Sequence, residues 1–204
     1  MNYLAHAYLS FGGSPGLLLG GMMADFVKGG RLESYDPLVE RGIRFHRAVD
    51  TFTDGHPVSR EARDLLREAC GLYSGVFLDV VYDHFLSRDT EVFPQDSLGQ
   101  FSAEVYRSLD PMQAQMPAGF QKVFVSMRTH DWLSSYRALE GVRRSFEGIG
   151  RRARYLETGL PVLEAFQEQY ELLQEAYRRF FPDLLTYSQD YLQQAGLSVL
   201  NPQT

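Results

Sequence analysis

The sequence predicts an all-α protein: a single compact domain of roughly nine or ten helices that spans residues 1–204. Three observations support this. Valine and isoleucine are few and do not alternate with polar residues, so strand signals are scarce. Proline and glycine recur where helices begin and end, and the last third of the chain carries one apolar stripe at helical spacing.

Helix starts are marked by Ser14-Pro15, Asp36-Pro37 and Pro57, because proline is favoured in the first turn of a helix. The stops are glycines, as at Gly12 and Gly71. Together these signals predict helices over residues 2–11, 15–28, 37–53, 57–71, 72–87, 96–109, 117–130, 136–146 and 151–156. In the C-terminal part, residues 160–196, the stripe predicts one long helix to about Phe180 and a final helix after a break at Pro182.

Composition excludes several classes of protein. Apolar residues make up 44% and aromatic residues 13% of the 204 residues, which is too many for a disordered or fibrous chain. Lys plus Arg number 20 and Asp plus Glu number 26, so the net charge is −6. This acidic balance argues against general binding to nucleic acids or to anionic membranes.

The chain reads as a cytoplasmic protein. Cys70 is the only cysteine, so no disulfide forms within the chain, and we expect a buried thiol in a reducing compartment. The N-terminal segment before Asp25 is apolar but has no basic start, and polar residues interrupt it. It predicts buried structure, neither a secretion signal nor a membrane span.

The segment from Val76 to Leu86 is apolar nearly all round as a helix, which predicts a central, buried position. Asp79 and Asp83 lie four residues apart within it, on one face. Two like charges at that spacing repel, and a buried carboxylate without a partner is very costly. A divalent metal ion or a pair of arginines would compensate, and the sequence leaves both open.

Three other helices offer similar residues. His46, Asp50 and Asp54 follow each other every four residues, Asp25 comes after an apolar turn, and His6 lies within an apolar helix. Taken singly, these are equally well a solvated face, a helix end and a core histidine. Together, imidazole nitrogens and carboxylate oxygens suit Mn²⁺, Fe or Zn²⁺, and Mg²⁺ if water completes the shell. A metal held in this way activates water and neutralises phosphate, which indicates a phosphohydrolase.

Four stretches of the first 90 residues carry a resemblance to a known family: MNYLAH at 1–6, GGMMADFVKG at 20–29, GIRFHRAVDTFTD at 42–54 and LDVVYDHFLS at 78–87. In this order, they resemble the acyl carrier protein phosphodiesterases, a family that is similar to the HD-type metal-dependent phosphohydrolases. The resemblance implies a variant HD-like fold and the hydrolysis of holo-acyl carrier protein to apo-carrier and 4′-phosphopantetheine, with Mn²⁺ or Mg²⁺. The adjacent His-Asp pair of HD enzymes is missing, because Ala24 precedes Asp25.

With the resemblance in hand, we predict roles for the polar residues. The metal ligands are His6, Asp25, His46 and Asp83. Asp50 and Asp79 orient these ligands or act on the attacking water. His84 protonates the leaving serine oxygen of the carrier, or else lies on the far side of the helix from Asp83. The phosphate is held by Lys28, Arg44 or Arg47.

The predicted partner is strongly acidic, so a basic docking patch is needed on an acidic protein. The densest group of bases follows residue 142 and comprises Arg143, Arg144, Arg151, Arg152 and Arg154. We expect this group to steer the carrier, since local potential and not net charge governs encounter. A solvated helix face is the other interpretation. Two other functions stay open, a nucleotide phosphohydrolase and a non-catalytic binding module, as does the oligomeric state.

Overall fold

The computed structural model describes residues 1–29, 32–153, 156 and 160–197 and confirms the all-α prediction, since these residues form helices and no strand. The helices, in chain order, are α1 (Tyr3–Ser10), α2 (Pro15–Met23), α3 (Pro37–Gly55), α4 (Pro57–Cys70), α5 (Ser74–Arg88), α6 (Leu98–Leu109), α7 (Ala118–Thr129), α8 (Trp132–Ser135), α9 (Leu139–Arg152), α10 (Leu160–Glu168) and α11 (Tyr170–Gln194). Short 3₁₀ turns join several of them, among them Ala24–Phe26. Within the described residues, no helix is both long enough and apolar enough to cross a membrane.

The helix starts follow the predicted chemistry. The Ser14 hydroxyl accepts a hydrogen bond from the Leu17 N–H at the start of α2, and the Asp36 carboxylate does the same for Leu38 at the start of α3. Proline follows each of these caps, where its missing N–H does no harm.

Several predicted boundaries were wrong. Helix α2 ends at Met23 and not near Lys28. One helix, α9, covers Leu139–Arg152, where two helices over 136–146 and 151–156 were expected; residues 154 and 155 lie outside the described residues. The long C-terminal helix is interrupted at Gln169, earlier than predicted. It then runs through Pro182, because Phe180, Phe181 and Leu184 are buried on both sides of the proline and hold the helix against the core.

Helices α2 and α3 cross at very close range. A Cβ atom on Gly20 would lie 2.1 Å from the Val39 carbonyl oxygen, and one on Gly42 would lie 2.2 Å from the Leu17 carbonyl oxygen. Only glycine fits at these positions, so these are packing glycines. The crossing brings the end of α2 onto the middle of α3, one turn before His46.

Helix α5 is the central helix, as the apolar segment predicted. Phe77, Tyr82 and Phe85 are buried there and contact aromatic rings of α9, α10 and α11. Helix α5 also packs against α1, and Asp79 and Asp83 lie beside the start of the chain.

Candidate metal centre

Three side chains from two helices converge at one point. His6 comes from α1, and His46 and Asp50 lie one turn apart on α3; one ligand atom of each lies within 4.8 Å of the others. The His6 Nε2 atom is 3.1 Å from Asp50 Oδ1, and the His46 Nε2 atom is 3.0 Å from Asp50 Oδ2. The two imidazole rings stack with their centroids 3.7 Å apart. Asp50 therefore bridges two histidines whose side chains are buried.

The crossing of α2 and α3 sets the orientation of His46. Its Nδ1 atom donates a hydrogen bond to the Gly21 carbonyl oxygen at 2.7 Å. This bond turns Nε2 towards Asp50 and fixes which nitrogen faces the group, as second partners of metal-binding histidines commonly do.

Asp25 lies at the solvent side of this group. It sits on the 3₁₀ turn after α2, with 70% of its side chain exposed, and its Oδ1 atom is 3.3 Å from His46 Nε2. Arg47 holds the segment that follows Asp25 in place, because its guanidinium group donates hydrogen bonds to the carbonyl oxygens of Val27 and Gly29. Asp25 is thus the reachable carboxylate of the site, and Arg47 supports its backbone.

The electrostatics of the group are tightly coupled. Burial, together with the neighbouring charge of His46, lowers the pKa of His6 to about 4. Burial also opposes charging of His46, but hydrogen bonds to Asp25 and Asp50 outweigh it and raise the pKa of His46 to about 9. Burial opposes ionisation of Asp50 too, yet the bonds from both histidines hold its pKa well below the usual range. At neutral pH, His6 is therefore neutral and lies beside the ionised carboxylate of Asp50.

This donor set fits a divalent transition metal. Two imidazole nitrogens and a carboxylate face each other at short range, and Asp25 stands ready as a fourth, exposed oxygen donor. Zn²⁺, Mn²⁺ and Fe²⁺ accept mixed imidazole and carboxylate ligands, and catalytic sites commonly use three protein ligands and leave a position open.

Asp83 lies outside this group, in contrast to the predicted ligand set. It is fully buried, and its oxygens accept hydrogen bonds from the backbone N–H groups of Leu4 at 2.7 Å, Ala5 at 3.2 Å and Asn2 at 3.4 Å. Burial outweighs these bonds and raises the pKa of Asp83 to about 7. Asp83 caps the start of α1 and so positions His6, and main-chain N–H groups are its hydrogen-bond partners among the described residues.

Asp79 has a similar main-chain partner. Its Oδ1 atom lies 2.9 Å from the α-amino nitrogen of Met1, which is also 3.4 Å from Asp50 Oδ1. Asp79 thus reaches the metal centre through Met1, which agrees with an orienting role better than with an action on water.

His84 does not face the site, and its predicted role as an acid is not supported. Its Nδ1 atom donates to the Tyr136 carbonyl oxygen at 2.7 Å, and its Nε2 atom is bonded to the Tyr170 hydroxyl at 3.0 Å. Burial lowers its pKa. Both ring nitrogens are occupied inside an aromatic cluster, on the far side of α5 from Asp83.

The predicted phosphate and docking residues fall into different settings. Arg44 is exposed and paired with Glu40 at 2.7 Å, whereas Lys28 is exposed three residues after Asp25. Arg143 forms ion pairs with Glu140 and Glu147, and Arg144 pairs with Glu140. Arg151 approaches Glu147 only to 3.9 Å, and Arg152 ends α9. Arg154 lies outside the described residues.

The sequence predicted His6 and His46 as metal ligands and Asp50 as a residue that orients them or acts on water, and the structure brings these three side chains together. The spacing of His46 and Asp50 already put both on one face of α3, so the signal for a shared ligand site was present. The sequence could not indicate the hydrogen bond from the Met1 amino group to Asp79, because the donor is a main-chain group.

Comparisons with known proteins identify the family that the chain is similar to. A family model described as acyl carrier protein phosphodiesterase matches residues 1–184. A relative from Yersinia enterocolitica with that name is 31% identical over 191 residues, which cover 93% of this chain and 98% of the relative. A protein of the same name from Salmonella dublin is 31% identical over 186 residues, 91% of this chain and 96% of the relative. No solved structure matches the chain, so the HD-like fold stays a prediction.

Proposed function

The chain belongs to the acyl carrier protein phosphodiesterase family, and we propose that it carries out its hydrolysis at a divalent metal ion held by His6, His46 and Asp50. The reaction converts holo-acyl carrier protein and water to apo-carrier and 4′-phosphopantetheine. The bond between phosphorus and the serine oxygen of the carrier breaks, water supplies the new oxygen on phosphorus, and the serine oxygen leaves with a proton.

The observation that carries the metal proposal is the convergence of His6, His46 and Asp50. Without a cation, a pKa of about 9 keeps His46 protonated beside the ionised Asp50, so a divalent cation bound here would take the place of that proton. Asp25 is the proposed fourth ligand, because it is exposed and its oxygen already lies 3.3 Å from His46. Mn²⁺ is the proposed metal, and Mg²⁺ the alternative.

The phosphodiester carries a negative charge that repels a nucleophile. A bound divalent cation supplies positive charge that offsets this repulsion. The residues of the chain do the rest: the Gly21 carbonyl holds His46 in one tautomer, Asp83 holds the start of α1 and thereby His6, and Arg47 holds the segment of Asp25. Such preorganised ligands spend no energy on rearrangement during the reaction.

For the phosphate itself, Lys28 is the strongest of the three predicted cations. Arg44 is paired with Glu40, and Arg47 is bonded to main-chain carbonyl groups. Lys28 is exposed and lies three residues after Asp25, and these two facts support its choice.

We propose Arg151 and Arg152 as the docking residues for the acidic carrier. Both are exposed at the C-terminal end of α9, and Arg151 approaches Glu147 only to 3.9 Å. Arg143 and Arg144 are instead engaged by glutamates and are poorer candidates.

The test is mass spectrometry of holo-acyl carrier protein after incubation with the protein and Mn²⁺. We expect the carrier to lose the mass of 4′-phosphopantetheine, and we expect Asp50→Asn to abolish the loss. A carrier of unchanged mass would refute the function, and full activity after rigorous metal removal would refute the metal centre. Arg152→Glu should raise KM, and Arg143→Glu is the matched control; equal KM values would refute the docking site.

A further inference from the structure

The α-amino group of Met1 lies inside the protein, at the edge of the metal centre. Met1 is only 6% exposed. Its nitrogen lies 2.9 Å from Asp79 Oδ1 and 3.4 Å from Asp50 Oδ1. Buried charges need charged or hydrogen-bonding partners, and here both partners are carboxylates. The amino group therefore joins Asp79 of α5 to Asp50, the carboxylate that bridges the two histidines.

The first turn of the chain is tied down by further contacts. The backbone N–H groups of Asn2, Leu4 and Ala5 donate hydrogen bonds to the buried carboxylate of Asp83. Chain termini are usually poorly ordered unless such contacts hold them. The Met1 nitrogen therefore has a fixed position beside Asp79 and Asp50.

The amino group acts on the orientation of the Asp50 carboxylate. Oδ1 of Asp50 lies 3.4 Å from the Met1 nitrogen and 3.1 Å from His6 Nε2, whereas Oδ2 lies 3.0 Å from His46 Nε2. Hydrogen bonds between charged groups are stronger and more directional than neutral ones. The two contacts on Oδ1 therefore help to set which oxygen of Asp50 faces His46.

The charge of the amino group and the charge of Asp79 support each other. Burial raises the pKa of Asp79, and the ammonium of Met1 opposes that shift. Burial also opposes the charge of the amino group, but the charges of Asp79 and Asp50 outweigh burial and raise its pKa to about 10. An uncharged nitrogen in this place would leave the two carboxylates without the positive charge that separates them.

A peptide bond at the Met1 nitrogen would change its chemistry. An ammonium group has a positive charge and several N–H donors, whereas a backbone amide is neutral and has a single N–H. One donor serves one carboxylate well, but not both Asp50 and Asp79. The carbonyl group of a preceding residue would also have to fit beside these two carboxylates, where Met1 is already buried.

We propose that the free α-amino group of Met1 is a positioning group of the metal centre, which holds Asp50 in its ligating orientation and couples it to Asp79. This role rests on the proposed metal-dependent function. It predicts that a formyl group on the Met1 nitrogen, or any residue joined to it, weakens the metal centre.

The test compares two forms of the full chain, both released from a cleavable N-terminal fusion partner. One form starts with a free Met1, and the other carries glycine and serine ahead of Met1. The matched control carries the same two residues after Thr204. In a calorimetric titration with Mn²⁺, the N-terminally extended form should bind at least tenfold more weakly, the scale for loss of a residue that orients a metal ligand. The control should bind as the form with free Met1 does.

A second measurement needs no metal. NMR spectra of the metal-free forms report on the imidazole C–H resonances of the histidines. Those of His6 and His46 should move in the N-terminally extended form, because their shared partner Asp50 changes its orientation. Those of His84 should stay in place, since this residue lies in the aromatic cluster on the far side of α5, and they check the fold.

Two variants separate the charge from the bulk of the extension. Formyl-Met1, kept by inhibiting deformylation during expression, removes the charge with little added bulk and should also lower Mn²⁺ affinity. Asp79→Asn should lower the affinity of the form with free Met1. In the extended form, Asp79→Asn should add little, because both changes remove the same contact and are therefore not additive.

Each of four results would overturn the proposal: unchanged His6 and His46 resonances in the extended form, unchanged Mn²⁺ affinity in that form, full affinity of formyl-Met1, or additive effects of the extension and Asp79→Asn. If the form with free Met1 binds no Mn²⁺, the metal centre itself is refuted. The resonances of the metal-free forms then decide the role of Met1 on their own.

Discussion

The clearest energetic prediction concerns Asp83, whose fully buried carboxylate holds the first turn of α1. Its pKa is raised from 3.8 to about 7, chiefly by burial. A carboxyl whose pKa is higher in the folded state favours folding while it is protonated. That contribution is complete below about pH 4 and is lost as the pH rises through 7. At 1.36 kcal/mol per pKa unit, the loss amounts to at most about 4 kcal/mol.

The perturbation is Asp83→Asn, which keeps the shape and removes the titration. Asparagine offers one acceptor oxygen where the carboxylate offers two, so the variant loses about 1–3 kcal/mol at every pH. The informative quantity is therefore the difference in unfolding free energy between the wild type and the variant as a function of pH, in which titrating groups that do not interact with Asp83 cancel.

The assay is urea denaturation followed by circular dichroism from pH 4 to pH 8, with chelator present to keep metals out. The wild type should lose its advantage over Asp83→Asn progressively towards pH 8, by up to about 4 kcal/mol. Asp64→Asn, at an exposed surface pair with Arg67, is the control and should give a flat difference. A flat difference for Asp83→Asn, or one that grows with pH as for a paired carboxylate, would refute the reasoning.

Three further variants separate the site from its scaffold. Asp50→Asn should lower Mn²⁺ affinity at least tenfold, because even changes to the residues that orient metal ligands have effects on that scale. Unfolding curves check that the variant is folded. Unchanged affinity would exclude Asp50 as a ligand. His84→Gln should destabilise the protein by about 1–3 kcal/mol in urea denaturation, since two buried hydrogen bonds are lost, and should retain kcat; a collapse of kcat in a folded variant would restore its predicted catalytic role. Gly42→Ala should cost more than 1 kcal/mol, because its Cβ would overlap the Leu17 carbonyl, and should lower kcat by shifting α3 and His46; a fully active, stable variant would contradict the close crossing.

The helices could be predicted where local chemistry decides them. Ser14-Pro15, Asp36-Pro37 and Pro57 mark helix starts because capping oxygens and proline act within one turn. Pro182 misled the prediction, since its effect depends on tertiary contacts: Phe180 and Leu184 are held by the core and carry the helix through. Local sequence signals therefore predict where a helix begins more reliably than where it is interrupted.

The site was predictable to the extent that it consists of side chains at helical spacing. His46 and Asp50 share a face of α3 for that reason, and His6 stood out as a polar residue in an apolar helix. The partners of Asp79 and Asp83 were missed because they are main-chain nitrogens of Met1, Leu4 and Ala5. A pattern of side chains contains no information on which backbone groups a buried carboxylate will meet.

The most direct test of the metal centre is a calorimetric titration of the metal-free protein with Mn²⁺. We predict one Mn²⁺ per chain, with binding lost in His46→Ala and retained in Asp83→Asn. Equal affinity in the wild type and His46→Ala, or loss of binding only in Asp83→Asn, would contradict the assignment of the metal centre to His6, His46 and Asp50.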